Sequence, residues 1–241
     1  MNRILSTMKL DIMVQVRNKL YAIGIGVGFV VAFALSQLTT ADQLPVIIPT
    51  VMLLVCGGST LLYVSSMIIF EKDEGTINMA IVSPLRSSEY LISKIVTLSL
   101  LATIEATIMI IGTMIFMSFS QPVDIPNMLL LYIGIVAICV MYTLIGIGLV
   151  APYDKITEFL IPMSAVAVVL QMSFLYFLDL IDSPIFLAIP VSAPTMLMRG
   201  AYLDLSAGEW IYGVIYTSVL LIGFSYWAYR AFQKHIVTKV G

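Results

Sequence analysis

The sequence predicts an all-α integral membrane protein of six transmembrane helices, forming a single domain over residues 1–241. Three observations predict it. The chain is 60% hydrophobic and only 11% charged, where soluble domains carry about 25% charged residues. Six stretches reach the roughly 20 apolar residues that a bilayer crossing needs. Eleven of the twelve Lys and Arg fall on one side of the arrangement those stretches imply, as the basic bias of cytoplasmic loops requires.

The N-terminal segment comes first. Ile4, Leu5, Met8, Ile12, Met13 and Val16 recur at helical spacing, with Arg3, Lys9, Arg17 and Lys19 beside them. That pattern predicts a helix lying on the inner membrane surface. The alternative is a cytoplasmic extension of the first span. No short apolar core with a small-residue cleavage site follows, so the segment does not read as a cleavable signal.

The six spans are expected at 20–38, 46–70, 95–119, 128–151, 159–178 and 210–229. The connections 39–45 and 120–127 carry no Lys or Arg, and 179–209 carries only Arg199. The basic residues lie in the N-terminal segment, in 71–94, at Lys155, and at Arg230, Lys234 and Lys239. Both termini are therefore expected in the cytoplasm, with the chain in the plasma membrane. The stretch 183–200 is too apolar for a solvated loop, and Pro184, Pro190 and Pro194 forbid one continuous helix. It predicts a re-entrant segment of short half-helices before the last span. Irregular backbone at that depth needs protein or a watery cavity around it.

The residue inventory excludes several chemistries. The one histidine, His235, sits in the basic tail, so no histidine base stands within a span. No cluster of His, Cys and carboxylates suggests a zinc site. Gly57-Gly58-Ser59-Thr60 lacks the lysine of a phosphate-binding loop. Cys56 and Cys139 fall in apolar spans without a CxxC and read as small buried hydrophobes. The basic residues are too few and too spread for nucleic acid. No catalytic residue, metal site or bound cofactor is expected, and lipid is the one unavoidable partner.

A few polar residues stand out inside the spans. Glu105, midway along the third, is a costly ionisable group in lipid. It reads either as a substrate- or water-facing carboxylate in a translocation path, or as a helix lock with Thr103, Thr107 or Gln171 as partner. Gln171, midway along the fifth span, poses the same choice. Gly24, Gly26 and Gly28, Gly57 and Gly58, and Gly146 and Gly148 allow close helix approach or bending. Fifteen methionines serve either as bulk apolar filling or as a tolerant lining for varied ligands.

The connection 71–94 carries seven charges, far more than a turn needs. Gly75 permits a turn, Thr76 can cap a short helix beginning at Ile77, and Pro84 stops it. Ser87 can then cap the third span, with Glu89 in its first turn. A short helix held across the inner membrane surface is the expected outcome, against the plainer alternative of an interfacial turn.

The run Glu71-x-x-Glu74-Gly75-Thr76, then Ser83-Pro84, Glu89-Tyr90 and Lys94, between spans two and three, resembles that of ABC-2 type transport permeases. The likeness covers the whole chain and is nearest to small bacterial drug-export permeases of the fluoroquinolone type. The resemblance implies a permease subunit that exports a hydrophobic or amphipathic small molecule. It implies a second permease chain, identical or different, and a separate cytoplasmic ATPase subunit that holds the ATP and Mg. It implies a coupling role for Glu71, Glu74, Gly75, Thr76, Ile77 and Asn78, with Ser83 and Pro84 ending the element. Two other classes stay open: an ion-driven secondary transporter, for which Glu105 is the one intramembrane charge, and a non-transporting receptor or immunity protein.

Overall fold

The computed structural model describes residues 3–77, 79 and 86–238. Every regular element among them is helical. Six helices are long and apolar enough to cross a membrane: Leu20–Leu38, Ala41–Asp73, Ser87–Ser118, Met128–Val150, Ile156–Phe177 and Ala207–Val237, numbered spans 1 to 6. Spans 2, 3 and 4 are buried over more than half of their apolar windows, whereas spans 1, 5 and 6 bury less than a third of theirs. The centre of the bundle is Leu53, Met67, Leu98, Ile138 and Tyr142, each at 1% exposure or less. The exposed side chains of the outer spans, such as Val30, Ile161 and Ile222, are apolar, as contact with lipid requires.

Spans 2 and 3 are longer than their apolar runs. Span 2 continues through Glu71, Lys72 and Asp73, and span 3 begins at Ser87, two turns before Ile95. The connection between them is therefore much shorter than the sequence suggested. Helix continues into the charged stretch because Glu71, Lys72 and Lys94 find partners within the protein rather than in water. The start of span 3 also differs in detail. Its cap residue is Arg86, whose backbone N–H donates to Glu89 Oε2 at 2.9 Å, one residue ahead of the expected Ser87.

The helix Arg3–Arg17 packs against span 3. It turns Asp11 and Gln15 inward and leaves Leu5, Leu10, Met13 and Val16 more than half exposed. Of the apolar stripe read from the sequence, Leu5, Met13 and Val16 are exposed, while Ile4, Met8 and Ile12 are half-buried.

Span 2 is distorted at its middle. Pro49 lies within its helix and a π-helical turn, Met52–Cys56, follows. Proline and a π-turn both free carbonyls from the helical ladder. Side chains from two neighbouring spans meet those carbonyls. Gln171 of span 5 donates to Leu54 O at 3.1 Å, and Tyr142 of span 4 approaches Leu53 O at 3.5 Å.

The segment before span 6 folds back into the bundle as short pieces, a 3-10 turn at Pro184–Ala188 and a helix at Ser192–Arg199. All of Ser192 to Met198 is buried. The helix rests on span 4 at Gly134, where a Cβ would meet the Pro194 carbonyl oxygen at 3.0 Å. Gly134 lies six residues into span 4, a depth of about 9 Å along a helix. The irregular backbone is satisfied by hydroxyls: Tyr212 donates to Leu187 O at 2.6 Å, Tyr216 to Ala188 O at 2.8 Å and Ser192 to Phe186 O at 2.7 Å. This is how a chain without regular helix survives away from water.

Candidate functional site

The sequence marked two places, the polar connection after span 2 and the polar residues at mid-membrane. At the first, Lys94 is 1% exposed and lies between two carboxylates. Its ammonium donates to Asp11 Oδ1 at 2.6 Å and to Glu71. Ser93 donates to the other Asp11 oxygen at 2.5 Å, and the Tyr90 hydroxyl donates to the other Glu71 oxygen. Four elements meet here. Asp11 comes from the N-terminal helix, Glu71 from the end of span 2, and Lys94, Ser93 and Tyr90 from the start of span 3. Span 6 joins through Phe232, whose ring stacks on Tyr90 with centroids 5.2 Å apart. Gln15 adds a further bond to Thr97 at 3.1 Å.

A second staple lies one residue along. Lys72 donates to Ala151 O at 2.8 Å and to Tyr153 O at 2.6 Å, and sits 3.5 Å from Asp154. It holds the end of span 2 to the turn between spans 4 and 5. Consecutive residues Glu71 and Lys72 thus fix the last turn of span 2 in two directions.

Beyond this base the chain reverses. Gly75 has φ of 68°, in the left-handed region that glycine adopts without strain. Thr76 donates its hydroxyl to Glu71 O at 3.1 Å. It therefore closes the end of span 2, where the sequence predicted a cap on the following helix. Glu74 and Thr76 are exposed, and Ile77 is buried at 2% exposure. Of the residues proposed for coupling, Glu71 faces inward and is occupied by Lys94 and Tyr90, while Glu74, Gly75 and Thr76 make the turn that follows. Asn78, Ser83 and Pro84 lie outside the described residues.

The mid-membrane residues are both engaged in helix contacts. Glu105 Oε2 accepts from the Tyr63 hydroxyl of span 2 at 2.9 Å. Its other oxygen has no hydrogen-bond partner among the described residues, and the side chain is 1% exposed. Span 1 closes over this pair through glycines. A Cβ on Gly24 would sit 3.0 Å from the Tyr63 hydroxyl, and one on Gly28 would sit 3.2 Å from the Glu105 carbonyl oxygen. The carboxyl therefore lies inside the seam of spans 1, 2 and 3, not on an open face. The partners expected from the sequence are elsewhere: Thr103 and Thr107 donate to carbonyls of their own helix, and Gln171 caps Leu54 O. Tyr63 was the residue missed. A phenol in the middle of an apolar run was the available signal, since a buried hydroxyl needs a partner.

Comparison with known proteins agrees with a bundle of this kind. The fluoroquinolones export permease protein family matches residues 2–240. Two proteins of Mycobacterium tuberculosis, from strains CDC 1551 / Oshkosh and ATCC 25618 / H37Rv, are each named a fluoroquinolones export permease protein. Each is 25% identical to this chain over 244 residues, covering 100% of the chain and 99% of the relative. With six apolar spans and a family match over nearly its whole length, this chain belongs to the fluoroquinolones export permease protein family.

Proposed function

We propose that the chain is the permease half of an ATP-driven exporter, working with a second permease chain and a separate ATPase subunit that binds ATP and Mg. Its cargo is a hydrophobic or amphipathic, drug-like molecule, in keeping with what its relatives are named for. The basic end of the bundle faces the cytoplasm, with both termini there, and the membrane is the plasma membrane. The N-terminal helix lies in the inner interface with Leu5, Leu10, Met13 and Val16 in lipid.

The observation that carries this reading is the contrast at the end of span 2. Asp11, Glu71, Lys94 and Lys72 make a rigid base. The tip beyond it, Glu74 and Thr76, is exposed on a glycine turn. A push on such a tip passes into four elements at once, which is what a motor subunit needs from its permease. The test uses this chain co-expressed with a candidate ABC-type ATPase subunit from the same genome. Glu74→Lys reverses a contact charge. Gly75→Val forces a β-branched residue to positive φ, whereas Gly75→Asn tolerates that conformation. Glu74→Lys and Gly75→Val are expected to lose fluoroquinolone efflux and stimulation of ATP hydrolysis by about tenfold, the factor that 1.4 kcal/mol of lost contact gives. Gly75→Asn retains both. Wild-type efflux in all three would make this connection architecture alone.

The orientation has its own test. Thr40, Asp124 and Asp204 are exposed at one end of the bundle, and Asp73 and Asp154 at the other. After removal of the buried Cys56 and Cys139, single cysteines at the first three are expected to react with an impermeant thiol reagent in intact cells. Cysteines at the last two react only after lysis. Labelling at position 73 from outside would invert the arrangement.

A further inference from the structure

We propose that the groove between the far ends of spans 4 and 6 binds a small amphipathic cation. The groove is a cavity of about 410 Å³, within the roughly 300–1,000 Å³ of small-molecule sites. Its walls are Leu130 and Ile133 from span 4, Leu203 and Asp204 from the turn after the re-entrant helix, and Trp210 and Val214 from span 6. The frame is fixed. Asn127 donates its backbone N–H to Ala201 O at 2.8 Å, and its side chain accepts from Leu130 N at 3.3 Å.

The groove is graded along its length. Asp204 and Trp210 stand at the mouth, where the helices end. Ile133 lies six residues into its span counted from Asn127, about 9 Å deeper. Ile133 and Val214 are about half exposed, so the groove opens sideways to lipid along its apolar part. A molecule with a charged head and an apolar body matches that order.

The sign of the charge follows from the neighbours. Glu209 is used locally, accepting from Ser206 N–H at 2.8 Å and Ser206 Oγ at 2.7 Å, and Arg199 acts electrostatically on Glu209. Asp204 is exposed and makes no ion pair among the described residues. A carboxylate without an ion pair and an indole lining the same groove favour a cation through charge and cation–π attraction. An anionic head would be repelled there.

This site deepens the export reading, since it would lie on the release side, but its binding can be measured without transport or an ATPase. The chain has two tryptophans, Trp210 and Trp227, so Trp227→Phe leaves Trp210 as the reporter. In phosphatidylcholine nanodiscs, a bromine-labelled alkylammonium is expected to quench Trp210 saturably. Its neutral and carboxylate counterparts with the same tail quench only by partitioning, without saturation. Asp204→Asn weakens the cation by about two- to fivefold, as for an exposed charge pair. Val214→Phe fills the groove and removes the saturable phase. Asp204 is exposed, so its variant carries the test even if Val214→Phe misfolds. Equal, non-saturating quenching by all three probes would show a groove filled by bilayer lipid and overturn the proposal. Tighter binding of the carboxylate probe would do the same. Loss of efflux in cells with saturable binding intact would count against the export reading and leave this site standing.

Discussion

Lys94→Met is expected to lower the stability of the purified protein by about 3–5 kcal/mol, the cost of breaking a buried ion pair from one side. Methionine keeps the length and apolar stem of lysine, so the loss is electrostatic. The variant leaves Asp11 and Glu71 facing one another with no ammonium between them. Asp11 has a side chain only 5% exposed and Glu71 14%, so water cannot replace what is lost. The measurement is the detergent melting temperature, with wild type and variant in the same micelle. A triple variant, Lys94→Met with Asp11→Asn and Glu71→Gln, removes the stranded charges and is expected to recover most of the loss, because a whole buried triad can often be neutralised at little cost. A melting temperature unchanged in the single variant would mean that the network is hydrated and carries no structural weight. If the single and triple variants fell equally, stranded charge would not be the cause, and the lost hydrogen bonds of the ammonium would account for the fall.

That network shows where sequence reading reached and where it stopped. The spans were legible because an apolar run of sufficient length has one stable state in lipid. The broken helix at 183–200 is legible too, since three prolines forbid one continuous helix, and the structure has two short pieces there. Gly75 as a turn followed from glycine's freedom at positive φ, which the structure has at 68°. The partners were not legible. Lys94 pairs with Glu71 at a separation of 23 residues and with Asp11 at 83. Span 2 is apolar on every face, so no periodicity says which side meets which neighbour. The charges at 71–94 read as a loop that meets a cytoplasmic partner, whereas three of them, Glu71, Lys72 and Lys94, are engaged within the protein. One signal was available: Asp11 stands alone among Arg3, Lys9, Arg17 and Lys19. A single acid in a basic amphipathic helix is a candidate for an internal cation, and here it finds Lys94.

Glu105→Leu is expected to cost about 1–3 kcal/mol, because it leaves the Tyr63 hydroxyl buried without an acceptor. Glu105→Gln keeps an acceptor oxygen in the same place and is expected to melt close to wild type. Tyr63→Phe removes the donor and leaves the Glu105 carboxyl with neither oxygen bonded, so it falls at least as far as Glu105→Leu. The double variant Tyr63→Phe with Glu105→Leu removes both polar groups and recovers part of the loss, giving a coupling energy that the two single variants lack. Gly24 and Gly28 make the site strict: span 1 passes so near that no larger side chain or added methylene has room. Efflux separates this lock from a substrate-binding role. A lock tolerates Glu105→Gln, so export of cationic and neutral drugs should continue together. A fall of about tenfold or more for cations alone, in protein that melts normally, is the scale expected when a buried charge partner is removed. That result would return the carboxylate to the transport path and would require the seam of spans 1, 2 and 3 to part during export.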